Sequence, residues 1–290
     1  MKKFVSILLV LLLAVSAAGC ASIGKQIAKS ITEKAGEAGK AAQENTNDEP
    51  VQDEPAQDEP AQDEPAQQPG NDQPVLGGIG FASPAESYVK FAEIKGAAFE
   101  RISDKLSASE DMEISMVSMA MLPVVMIDLS LLPLTVLTSD PSGSAAALGM
   151  MGMSGVDVKM NGQEYVVSYS DGDGNQLTQT SQYDKATDSL KSTLSTSEGE
   201  SIYFEYTRVG DGYASQTFMK NDDGSFLLIK SYFDESNIAA FGMESADAKP
   251  DSIIGKAAGL NKDFVKNDEL YTIFENGQLL IVQDGTEKTI

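Results

Sequence analysis

Residues 156–169 read VDVKMNGQEYVVSY, and their alternation decides the fold class of everything that follows. Val156, Val158 and Met160 alternate with polar neighbours, Asn161-Gly162 is a two-residue turn signal, and Tyr165, Val167 and Tyr169 alternate on the return. Successive strand side chains point to opposite faces, and Asn-Gly accepts the positive φ of a tight hairpin. The stretch therefore predicts an antiparallel hairpin with one apolar face. Strand-like runs recur at 176–183, 189–195, 201–209, 213–219 and 225–233, divided by turn-rich 171–174, 210–212 and 221–224. A helix is expected over 250–258. A final hairpin then turns at Asn276-Gly277, with Tyr271, Ile273, Leu279, Ile281 and Val282 around it. Short strands joined by tight turns make an antiparallel meander.

Upstream the period is helical. Ser83-Pro84-Ala85-Glu86 reads as a capping box with proline at the first helical position, and Tyr88, Phe91, Ala98, Phe99, Ile102 and Leu106 share one face of a helix running to about residue 107. Ser107 and Glu110 repeat the pattern and start a second segment. Residues 116–137 read MVSMAMLPVVMIDLSLLPLTVL, whose only charge is Asp128. This stretch is long enough to cross a bilayer. The central acid, the helix breaks at Pro123 and Pro133, and the lack of Lys or Arg between Lys105 and Lys159 argue instead for short helices. Such helices would be buried against a sheet or line a pocket within it. Residues 139–155, rich in Gly, Ser, Ala and Met, read as a connector able to act as a lid. The expected fold class is α+β, an antiparallel β meander or half-barrel of about ten strands backed by N-terminal helices. It occupies 81–290, with helices over 84–138 and sheet over 156–290.

Nine of the twelve methionines lie between Met112 and Met160, and Met112, Met116 and Met119 share a helical face. Flexible thioether side chains repack around varied apolar partners. Met112, Met116, Met119, Met126 and Leu131 are therefore the candidate ligand-binding residues, against the alternatives of ordinary core and of soft ligands for Cu(I).

The first twenty residues place the chain. Lys2 and Lys3 precede an apolar run over 4–15, and Ala17, Ala18 and Gly19 supply the small residues of a processing site, the layout of an export signal. Ala17-Ala18-Gly19-Cys20 resembles the lipobox of bacterial lipoproteins, with Ala17 where leucine is usual. The resemblance implies that 1–19 is removed and that Cys20 carries a diacylglyceryl anchor. It also implies that the mature chain sits on the extracytoplasmic side of a cell membrane. In 20–42, Ile23, Ile27 and Ile31 recur every fourth residue among Lys25, Lys29, Lys34 and Lys40, the pattern of an amphipathic surface helix, although Gly24, Gly36 and Gly39 favour a frayed spacer. Residues 43–80 carry Asp-Glu-Pro-x-Gln units beginning at Asp48, Asp53, Asp58 and Asp63. Proline at every fifth position excludes helix and sheet, so this reads as a disordered acidic tether.

Composition excludes several function classes. With 21 basic and 44 acidic residues the chain is repelled by nucleic acid, and with no histidine it lacks the commonest metal ligand and general base. A single cysteine allows no intrachain disulfide. Asp171, Asp173 and Asn175 begin like a calcium loop, but Gln176 and Gln182 stand where glycine and a bidentate acid are required, so a hairpin turn is expected. Ser87 and Lys90 match the Ser-x-x-Lys of penicillin-binding enzymes without its companion motifs. No catalytic residue, metal site or cofactor is expected. Helix, apolar helical segment and long meander together resemble the half-barrel of the periplasmic lipoprotein-carrier family, with the helices preceding all strands as a departure. That resemblance implies an apolar hollow for acyl chains. The leading expectation is a non-enzymatic binding or carrier domain for an apolar ligand such as a lipid. An envelope protein–protein interaction module is the alternative, and a carboxylate-based hydrolase the third.

Overall fold

A computed structural model describes residues 81–290 apart from 173, 222 and 223. The residues read as an export signal, Cys20, the isoleucine stretch and the acidic repeat lie outside the described residues. The order of elements is α1 (Pro84–Ser107), α2 (Met112–Ala120), α3 (Leu122–Ser130), a 3-10 turn (Leu132–Val136), α4 (Pro141–Met150) and eleven strands. These are β1 (Ser154–Asn161), β2 (Glu164–Ser170), β3 (Gln176–Asp184), β4 (Ser189–Thr196), β5 (Gly199–Val209), β6 (Gly212–Lys220), β7 (Phe226–Phe233), β8 (Ala239–Ala246), β9 (Leu270–Glu275), β10 (Gln278–Gln283) and β11 (Thr286–Thr289). Every strand pairs antiparallel with its sequence neighbour, in the order β1 to β11. The protein is therefore α+β, with one antiparallel sheet.

Local chemistry explains the start of α1. The Ser83 side chain accepts a hydrogen bond from Glu86 N, Pro84 occupies the first turn, and Glu86 accepts from Ala82 N at 2.9 Å. The second helix begins later than its sequence suggests. Its N-cap is Asp111, whose carboxylate accepts from Glu113 N at 2.9 Å.

The centre of the molecule is aromatic. Phe91, fully buried on α1, stacks on Tyr206 at 4.5 Å between ring centres and meets Phe204, Tyr213 and Phe233 at 5.3–5.7 Å. Aromatic pairs at such spacings add to the gain from burial alone. One helical turn earlier, the buried Ser87 hydroxyl donates to Asp188 Oδ1 at 2.5 Å, which leaves Tyr206 to donate to Ser87 across 2.6 Å. Tyr183 and Tyr213 also donate to Asp188, and Arg208 lies 3.5 Å from it. The buried Asp188 carboxylate is thus satisfied on both oxygens, as an interior charge must be. Burial drives the Tyr206 hydroxyl well above its ordinary pKa, so it remains a donor. Ser87 is structural, and Lys90 of the same motif pairs with Glu235.

The opposite face of the sheet is covered by residues 247–269. Buried Glu205 on β5 accepts four hydrogen bonds, from Tyr203 Oη, Gln216 Nε2, Ser252 Oγ and Ile253 N, at 2.6–2.7 Å. The last two bonds hold the Ser252 side chain and the Ile253 backbone, and the helix expected over 250–258 is replaced by irregular chain with 3-10 turns at Ala257–Gly259 and Lys262–Val265. Asp268 ends this cover by pairing with Lys230 at 2.6 Å, and Lys230 also binds Glu244. The close approach needs Gly242, where an added Cβ would lie 2.0 Å from Asp268 Oδ2.

Of two further sequence readings, the connector is corrected and the hairpin turn is found as expected. Residues 141–150 form α4 rather than a loose connector: Asp140 caps Ser142 N, buried Ser144 donates to Val136 O, and Leu148 is fully buried. The turn at 171–175 is held by Asp171, which accepts from both the backbone and side-chain nitrogens of Asn175.

Phe91→Ala should cost about 3–5 kcal/mol in urea-unfolding free energy, since it empties the aromatic centre. Burial raises the Asp268 carboxyl from 3.8 to about 6 against the pull of Lys230. A carboxyl that binds its proton more tightly when folded stabilises the fold below about pH 4 and loses that contribution as pH rises through 6. Replacing Asp268 by Asn should flatten the fall in the urea midpoint between those pH values. An unchanged slope would refute the assignment.

Candidate functional site

The apolar stretch 116–137 is broken into α2, α3 and the 3-10 turn, with Pro123 and Pro133 each in the first turn of the piece they open. Among the described residues no helix is long and apolar enough to cross a membrane. Its single charge is neutralised from outside the stretch: Lys95 of α1 donates to Asp128 at 2.6 Å and to Val124 O at 3.3 Å. Fixing the acid beside a largely buried ammonium offsets part of its cost in an apolar segment.

Each helix carries large apolar residues on both its inner and its outer side. Ile114, Val117 and Met121 face the core from α2 and its cap, and Val124, Ile127 and Leu131 continue that stripe along α3. The other side carries Met116, Met119, Met126 and Leu129, which are 64, 59, 56 and 57 % exposed. A helix apolar all round ordinarily has a partner on every side, and an exposed apolar patch marks an interaction surface.

Beside this strip, a groove of about 380 Å³ runs between α2 and the last two strands. Ile114, Met116 and Val117 line it from the helix, Ile281 from β10, and the paired Glu113 and Lys288 complete it with Gln283, Asp284 and Thr286. Lys288 also binds Asp111 at 2.9 Å and holds that carboxyl below its usual pKa, so one lysine of β11 ties two acids at the start of α2 to the sheet. An apolar floor with a few charged groups is the make-up of a small-molecule site. By contrast, the space beneath α3, between Lys95, Val124 and Ile127 and the sheet residues Ser215, Thr217 and Ser231, is a gap of about 10 Å³. It has no room for a ligand.

The structure thus separates the sequence candidates. Met116, Met119 and Met126 lie on the exposed side, only Met116 of them in the groove, and Leu131, 1 % exposed, belongs to the core. Met112 opens α2. The groove's other residues, Ile281 and Lys288, come from strands more than 160 positions later, and no local pattern joins them to α2. Leu129 was readable as the partner of Met126 three positions on. Among the described residues no group of three or more acids or cysteines is placed to hold a metal. No family model, curated protein or solved structure matches this chain.

Met126→Ser should leave the unfolding free energy within about 0.5 kcal/mol of the parent, whereas Leu131→Ala should cost about 2–5 kcal/mol. Equal losses in urea titrations would contradict the inside and outside assignments.

Proposed function

We propose that this chain is a lipid-anchored extracytoplasmic lipoprotein whose folded domain binds or carries an apolar ligand without catalysing a reaction. The observation that carries the proposal is the groove between α2 and β10–β11, walled by Ile114, Met116, Val117 and Ile281, next to an uncharged strip of exposed methionines. Its apolar walls suit an acyl chain, and Lys288, Glu113 and Asp284 offer charge for a polar head. In this reading the sheet acts as a half-barrel, the N-terminal helices back it, and the acidic repeat spaces the domain from the membrane. Cys20 carries the anchor, because a thiol bearing a diacylglycerol gives two chains and stable attachment.

An envelope protein as the bound partner is the second reading. It is favoured by β1, an eight-residue edge strand largely exposed on both faces, whose free side could receive another chain's strand. A pull-down yielding one stoichiometric protein and no lipid would support it over the first.

Two measurements test the main reading. Labelled fatty acid should enter the native chain and not a Cys20→Ala variant. The unlipidated chain should gain thermal stability with a sixteen-carbon fatty acid, by about 2.7 kcal/mol at a hundred times its Kd, and Met116→Glu should remove most of that gain. Absence of both the shift and any co-purifying lipid on mass spectrometry would eliminate an apolar ligand.

A further inference from the structure

We infer that the outer sides of α2 and α3 form a contact surface for a phospholipid bilayer, on which the domain rests laterally rather than spanning. Among the described residues six large apolar side chains are exposed, and four of them, Met116, Met119, Met126 and Leu129, lie on these two helices as i, i+3 pairs. The surface carries no free charge from within 114–137, because Asp128 is taken by Lys95. An uncharged apolar face needs a partner that supplies apolar contact and demands no ion pairs, and the interfacial zone of a bilayer does both.

Helix length fixes the mode of contact. Each helix has nine residues and rises roughly 14 Å, about half of the hydrocarbon thickness, so neither can cross. The point of entry of the chain fits as well. Ala85 N bonds Leu137 O at 3.0 Å, so the residues leading from Cys20 join the domain at the end of the same segment that bears the strip. The 38 residues of 43–80 can extend to at most about 130 Å, which keeps the domain within reach of the anchoring membrane. Tethering makes docking intramolecular, with an effective concentration up to the millimolar range, so a weak contact suffices. The strongly acidic composition, 44 acids against 21 bases, gives no electrostatic attraction to anionic lipid, and the contact is apolar in origin.

The inference rests on the lipid-anchored reading for the source of the bilayer, and the test is independent of it. Chain from residue 20 onward carrying Cys20→Ala is mixed with vesicles of phosphatidylcholine and floated on a density gradient. It should float with the vesicles, with partitioning that changes less than twofold between about 0.05 and 0.5 M salt, since no Coulomb term is involved. Met119→Glu and Met126→Glu should each weaken partitioning at least tenfold while their unfolding midpoints stay at the parent value. Met160→Glu, on β1, should stay within twofold. Failure of the parent to float, loss of binding in salt, or indifference to the two glutamates would overturn the inference. Self-association reversed by Met126→Glu, without flotation, would assign the strip to a second copy instead. Failure of fatty-acid labelling, or absence of both the fatty-acid thermal shift and co-purifying lipid, would sink the proposed function and leave flotation unaffected.

Discussion

The insertion of Phe91 into the rings of Phe204, Tyr206, Tyr213 and Phe233 is the contact on which the rest of the molecule depends. A meander of next-neighbour hairpins can bury nothing by itself; it needs a layer against its apolar face. Phe91 is where α1 meets the rings of β5 to β7, and its position along α1 is set by Ser87, whose hydroxyl joins Asp188 and Tyr206 one turn away. Charge and packing cooperate here: the polar network fixes the register of the helix, and the rings supply the apolar burial. On the far face Glu205 does the corresponding work for residues 247–269 by saturating both of its oxygens. Strand β5 is consequently buried on both sides across its middle, and Glu205 is tolerated there because both of its oxygens are hydrogen-bonded.

Much of the framework was legible in the sequence because its signals are local. The capping residues around Ser83, the turn glycines after Asn161 and Asn276, and the alternation of β2 to β7 are read within a few positions. The places where reading fails are those where distant groups override local preference. Residues 250–258 look helical until Glu205, some 47 positions earlier, takes the Ser252 hydroxyl and the Ile253 amide. Strand β8, AAFGMESA, hides its period behind alanine and glycine, and the glycine is there for the approach of Asp268. Helix α4 lacks apolar spacing altogether and owes its place to a capping aspartate, one buried serine and one buried leucine.

The candidate site was half legible for a related reason. Apolarity on every side of 114–131 is plain in the sequence, but which side faces inward is decided by α1 and the sheet. Asp128 shows the same limit. As a bare acid in an apolar run it signals conflict, and the conflict disappears only when Lys95, 33 positions away, is placed beside it. The methionines that a sequence reader would put in a hollow are mostly on the outside, while the leucine grouped with them is interior.

The strict neighbour order of the strands also has a temporal consequence. Each hairpin can zip onto the one before it as soon as both are available, a scheme with short loop closures at every step but β8 to β9, where residues 247–269 intervene. Phe91, however, is made more than a hundred residues before the rings that receive it. During synthesis from the amino end, the helices 84–130 must wait, their apolar sides uncovered, until β5 to β7 arrive. The slow and vulnerable moment in the life of this chain is therefore that interval, and it is where a holding chaperone would find its grip.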